Sequence, residues 1–130
     1  MSLIRQKGLS AVASSLVHRW FSPAFMGRQP KVVERFTNDL RLFPAEDYLA
    51  GCEAIRDADF CERAGQIKTR TLIIAGSEDR AATLADAQFL NQRIHGSQLL
   101  VLPGGHLACV ESPGAFTRAV IEFLTKSNIH

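Results

Sequence analysis

With 130 residues, 46% of them hydrophobic and 22% charged, the chain has the length and make-up of one globular domain rather than of a disordered segment. Its net charge of +2 joins unlike blocks, because residues 1–41 carry seven Lys or Arg against two acids while residues 42–62 carry six acids against Arg56 alone. No basic stripe suggests nucleic acid, no apolar run nears the roughly eighteen residues of a membrane span, and Met1-Ser2-Leu3-Ile4-Arg5 lacks a secretory layout, so a cytoplasmic protein is expected.

In chain order, Leu9, Val12, Ala13, Leu16, Val17 and Trp20 recur at spacings of three and four and predict one helix ending at Ser22-Pro23. Pro30 suits the first turn of a second helix, whose Val32, Val33, Phe36 and Leu40 share a stripe. A third runs from about Ala45 to Ile55 with Tyr48, Leu49, Cys52 and Ile55 as its apolar side, and Asp57 or Asp59 caps a short fourth through Phe60 and Ala64. The basic charge of this helical half reads as a solvated face, with attraction of an anionic substrate as the alternative.

After Gly65 the pattern changes to continuous apolar runs bounded by turn signals, which places a boundary near Gln66. Thr71 to Ala75 reads as a strand buried on both faces, ending at Gly76 and followed by Asp79. Thr83 with Asp86 forms a capping box for a helix carrying Leu84, Ala87, Leu90 and Ile94, closed by His95-Gly96. Gln98 to Leu102 is a second strand, stopped by Pro103-Gly104-Gly105 and followed by His106. Ser112-Pro113 opens a last helix packing through Phe116, Ala119, Val120, Phe123 and Leu124, with Glu111 as a helix-start charge. Strand, helix, strand and helix predict a parallel β-α-β-α unit, so Asp79 and His106 leave from the carboxyl ends of adjacent strands, where open α/β sheets hold their ligands.

Taken singly, Asp79 is a turn residue and His106 a structural one. Together they suit a dyad in which Asp orients His through its ring N–H and His accepts a proton from a nucleophile. Cys52, Cys61 and Cys109 are odd in number and lack a CxxC, which predicts reduced, mostly buried thiols; only His106 with Cys109 approaches metal-ligand spacing, so no metal is expected.

The segments Ile67 to Asp79 and Gly104 to Phe116 resemble the carboxyl-terminal part of the α/β-hydrolase family, and Gly51-Cys-Glu-Ala-Ile-Arg-Asp-Ala-Asp59 with His18-Arg-Trp-Phe21 resembles more narrowly the 3-oxoadipate enol-lactonases. The resemblance implies an incomplete α/β-hydrolase fold, with residues 1–65 as a helical lid and residues 66–130 as the β-α-β-α part of the core. It implies Asp79 as triad acid and His106 as general base. A serine would attack the lactone carbonyl, and water activated by the histidine would release 3-oxoadipate, without metal or organic cofactor. In the lid, Trp20 and Tyr48 are candidates to line an acyl pocket and Arg19 to meet a substrate carboxylate, against the plainer readings of packing and solvated charge.

The G-x-S-x-G that carries the family's serine occurs nowhere in the 130 residues. Ser77 lies in a turn without the strand-to-helix elbow such a nucleophile needs, and Cys109, three residues past His106, is a weak substitute. The chain alone is therefore expected to be inactive: either a truncation, or a piece needing a complementary amino-terminal half or another copy of itself along the open strand edge. The substrate class expected is a small lactone or ester, with other ester or C–C bond hydrolysis, or a non-catalytic self-associating domain, as the alternatives.

Overall fold

The computed structural model describes residues 1–125; residues 126–130 of the expected carboxyl-terminal region lie outside the described residues. Helix α1 (Ser2–Lys7) opens the chain, and a 3₁₀ turn (Leu9–Ala11) with α2 (Ala13–Trp20) replaces the single helix expected from Leu9 to Trp20. The reason is backbone: Gly8 at φ 71° ends α1, and Val12 at φ −125° lies outside the helical range. The apolar spacing survives the break, since Leu9, Ala13 and Val17 are all buried.

Ser22-Pro23 ends α2 as expected and also starts α3 (Pro23–Arg28), which the apolar pattern does not signal. Ser22 Oγ accepts the Phe25 amide at 3.2 Å and Pro23 occupies the first turn, where its missing N–H costs nothing. Helices α4 (Pro30–Leu42), α5 (Ala45–Asp57) and the short α6 (Cys61–Ala64) follow. Asp59, one of the two expected caps, accepts the Cys61 amide at 3.0 Å.

These helices enclose a core running from Ile4 through Val17 and Phe21 to Leu49. Phe21 is its centre: 1% exposed, stacked on Phe25 at 5.2 Å and edge-on to Phe36 at 5.3 Å. Burying one such ring stabilises the fold by about 1.5–3 kcal/mol. Ile55, expected on the apolar side of α5, is instead 79% exposed. It stands six residues past Leu49, the one buried residue of α5, where the helix has rotated away from that face.

Strand β1 (Leu72–Gly76), α7 (Leu84–Arg93), β2 (Gln98–Leu102), α8 (Ala108–Glu111) and α9 (Pro113–Thr125) complete the fold. The strands pair in parallel from Leu72 with Gln98 to Gly76 with Leu102, so both end at one rim. Beyond that rim the Ser77 amide donates to the Leu102 carbonyl and the Glu78 amide to the Gly104 carbonyl, each at 2.8 Å. Gly76 is what lets the two turns close, because a Cβ there would stand 2.0 Å from the Gly105 carbonyl oxygen.

Two expectations about burial fail for one physical reason. Leu72, Ile73 and Ile74 are only half-buried where a strand covered on both faces was expected, and β1 pairs with β2 alone. No residue of α9 is buried, and Leu124, expected on its packing face, is 70% exposed. A strand or helix with an apolar pattern buries it only against a neighbour. The thiols depart from expectation likewise: Cys52 is half-buried, while Cys61 and Cys109 are exposed.

The capping box at α7 forms as expected. The Asp86 carboxylate accepts from the Thr83 amide and hydroxyl, each at 2.7 Å, and Thr83 Oγ accepts the Asp86 amide at 3.3 Å. The Thr83 hydroxyl, helped by its amide, holds the Asp86 carboxyl below the usual aspartate value. The stability this gives is present above the usual value and is lost as pH falls through the lowered one. Thr83→Ala is expected to cost about 1 kcal/mol, read as a lower midpoint in urea unfolding at neutral pH with an unchanged slope.

Candidate active site

The in-register ends of β1 and β2 bring Asp79 and His106 together across 27 residues of sequence. His106 Nδ1 lies 2.8 Å from Asp79 Oδ2. The other carboxylate oxygen, Oδ1, accepts the Ala81 amide at 2.7 Å and the Ala82 amide at 2.9 Å. Asp79 is thus held in place by its own turn, and its side chain is only 6% exposed whereas that of His106 is 41% exposed.

This geometry selects a tautomer. An ionised carboxylate only accepts hydrogen bonds, so Nδ1 carries the proton and donates it toward Asp79. Nε2 is then the bare nitrogen of the ring, the atom able to accept a proton from a nucleophile or water. Among the described residues no hydroxyl or thiol hydrogen-bonds to Nε2; the Ser77 amide is engaged with Leu102 and the Cys109 side chain is exposed. Nor does any group of three His, Cys, Asp or Glu converge among them as metal ligands would.

A cavity of about 190 Å³ opens beside the dyad, walled by Ile73 and Ala75 of β1 and Ala87 and Leu90 of α7, with Asp79 and His106 at its edge. A larger one, about 490 Å³ and almost wholly apolar, lies between α6 and α7 and shares Asp86 and Leu90 with it. The larger space is lined by neither Asp79 nor His106.

The lid candidates converge only in part. Arg19, near the end of α2, donates from Nη2 to the Arg80 carbonyl at 3.2 Å, which brings its guanidinium beside the turn that holds Asp79. Trp20 is half-buried against the helical core, and its carbonyl accepts the Leu107 amide at 3.0 Å, so its backbone runs along the histidine turn. Tyr48 packs against the same core from α5. Burial pushes its phenol up, Cys52 adds to the rise, and Arg19 pulls the other way. The Tyr48 hydroxyl is therefore a neutral donor at physiological pH.

Glu111 is the residue whose role sequence reading missed. Rather than serving only the start of α9, its carboxylate accepts the Ser22 amide at 2.8 Å, the Ser22 hydroxyl at 2.6 Å and the Gly105 amide at 2.9 Å. Ser22 is 89 residues away in sequence. The one local signal is the run of glycines before His106, which leaves backbone amides open to an acceptor.

No family model matches the chain. The chain is 39% identical over 126 residues to 3-oxoadipate enol-lactonase 2 of Acinetobacter baylyi, a match that takes in 97% of this chain and 47% of that protein. It is 32% identical to 3-oxoadipate enol-lactonase 1 of the same organism, over 93% of this chain and 46% of the relative. Among solved structures, the enol-lactonase of Burkholderia xenovorans superposes with a TM-score of 0.93 at 35% identity, over 96% of this chain and 48% of that one. The chain thus spans about half the length of the curated relatives it matches.

Proposed function

We propose, from the premise that this chain carries the carboxyl-terminal part of an α/β-hydrolase, that Asp79 and His106 are the acid and base of a lactone- or ester-cleaving enzyme whose nucleophile comes from polypeptide outside these 130 residues. Residues 1–65 serve as the lid and residues 66–130 as the acid- and base-bearing part of the core. The observation that carries the reading is the 2.8 Å pair at the shared rim of two parallel strands, with Nε2 left free.

In mechanism, Nε2 takes the proton of the incoming serine hydroxyl as that oxygen attacks the carbonyl. Asp79 stabilises the imidazolium so formed and keeps the ring from turning. The imidazolium then returns the proton to the leaving oxygen, and a second cycle with water frees the acid. The resemblance to enol-lactonases makes an enol-lactone carrying a carboxylate the leading substrate. Arg19 is the cation placed to meet that carboxylate, with Trp20 and Tyr48 lining the lid side.

The test is complementation. The 130-residue chain should turn over neither 3-oxoadipate enol-lactone nor a simple activated ester. It should hydrolyse the lactone once joined to the amino-terminal half of the Acinetobacter baylyi enol-lactonase 2. Turnover by the chain alone, abolished by His106→Ala, would refute the need for an outside nucleophile. The exposed face of α9 and the unpaired side of β1 favour one other reading, a non-catalytic domain that pairs with its own copy. A stable dimer in sedimentation, with no activity on complementation, would favour it instead.

A further inference from the structure

We infer that Glu111 is a positioning residue that clamps the turn bearing His106 to the corner of the lid between α2 and α3. The inference rests on the reading of His106 as the base, and it concerns how that base is held. Three donors from two distant segments meet one half-buried carboxylate: the Gly105 amide, one residue before His106, and the amide and hydroxyl of Ser22.

The geometry is tight on both sides of the clamp. A Cβ at Gly105 would stand 2.7 Å from the Trp20 carbonyl oxygen and 3.0 Å from the Ser22 nitrogen, so the lid backbone lies directly against the histidine turn. At Gly104, where φ is 132°, a Cβ would meet the Glu111 carboxylate itself at 3.0 Å. Such close backbone approach leaves amides with no access to water, and an acceptor must come from the protein. Glu111, on the single helical turn that follows His106, supplies it. Ser22 also caps α3 by accepting the Phe25 amide, so the lid helix starts from the atom that the clamp grips.

The lid corner and the peptide preceding the base therefore move as one piece. Losing the acceptor oxygen at this reach frees the Gly105 peptide to rotate, and the His106 ring, joined to it through one Cα, drifts off Asp79. Losing hydrogen bonds to one shared acceptor is enough to change local opening by about tenfold or more.

The experiment uses the 130-residue chain and needs no turnover, so it stands apart from complementation. Proton NMR follows the His106 Nδ1–H resonance and exchange of the Gly105 and Ser22 amides in Glu111→Ala, Glu111→Asp and Glu111→Gln. The glutamine keeps the reach of the side chain: its oxygen can accept both amides while its amide group donates to Ser22 Oγ. It should retain the Nδ1–H resonance and slow exchange. The aspartate keeps the charge but falls short by one methylene, and like the alanine it should lose the resonance and exchange both amides at least about tenfold faster. Thr83→Ala, a destabilising change on α7, should leave the resonance in place. Retention of resonance and protection in Glu111→Asp with loss in Glu111→Gln would overturn the clamp in favour of a charge effect. Wild-type behaviour of Glu111→Ala would overturn it outright. If the alanine variant does not fold, the Asp and Gln variants decide.

Discussion

His106→Ala in the complemented enzyme is expected to lower kcat/KM for the enol-lactone by about 10⁴-fold or more, with little change in KM. The size follows from what the ring does in the structure. It is the side chain that keeps one ring nitrogen unengaged while the other is tied to a nearly inaccessible carboxylate. Without it the serine hydroxyl must lose its proton to water. Asp79→Asn should cost a comparable factor by a different route. An asparagine amide presents N–H or C=O to Nδ1, and if N–H faces it the ring takes the other tautomer and Nε2 becomes a donor. The Ala81 and Ala82 amides, which now share one carboxylate oxygen, make that arrangement the favoured one, because they claim the single oxygen of the asparagine. Steady-state kinetics on the lactone across neutral pH, with circular dichroism to show an unchanged fold, checks both. A complemented His106→Ala enzyme within tenfold of wild type would remove His106 from the chemistry.

Gly76→Ala should be among the most destabilising single substitutions in the chain, costing about 3 kcal/mol or more. The added Cβ would sit 2.0 Å from the Gly105 carbonyl oxygen, 2.5 Å from that of Gly104 and 2.8 Å from the Gly105 carbonyl carbon. All three are backbone atoms, so no rotamer change relieves the contact. The turns beyond β1 and β2 must separate, and with them go the bonds from Ser77 to Leu102 and from Glu78 to Gly104. Urea unfolding measures the loss, and a midpoint within about 0.5 kcal/mol of wild type on conversion would show that the two turns can part without loss of the fold.

Short-range features of this protein were legible in the sequence, and long-range ones were not. Thr83 and Asp86 make their box within one turn, Pro113 starts α9, and the limits of β2 coincide with the apolar run Gln98 to Leu102. The meeting of Asp79 with His106 is legible because each stands a few residues past a strand end, and parallel pairing fixes where strand ends go. The Glu111 clamp depends on a partner 89 residues away, and no periodicity encodes that. Helix α9 departs less: of its expected packing face Phe116, Ala119, Val120 and Phe123 are half-buried and Leu124 is exposed, because burial is a property of the neighbour as much as of the helix. The break at Gly8 and Val12 was hidden because the apolar spacing carries on through it.

The helical core also has a bearing on the order of assembly. Its buried members, from Ile4 to Leu49, all precede β1 in the sequence, although α1 and α5 close it over a span as long as that from Arg5 to Glu53. The strand pair must close across a whole helix, Leu72 against Gln98, before either turn can form. During synthesis the residues of the helical core therefore all emerge before the second strand exists to pair. The contact of Asp79 with His106, which needs both strand ends, forms on a chain whose helical core can already be in place.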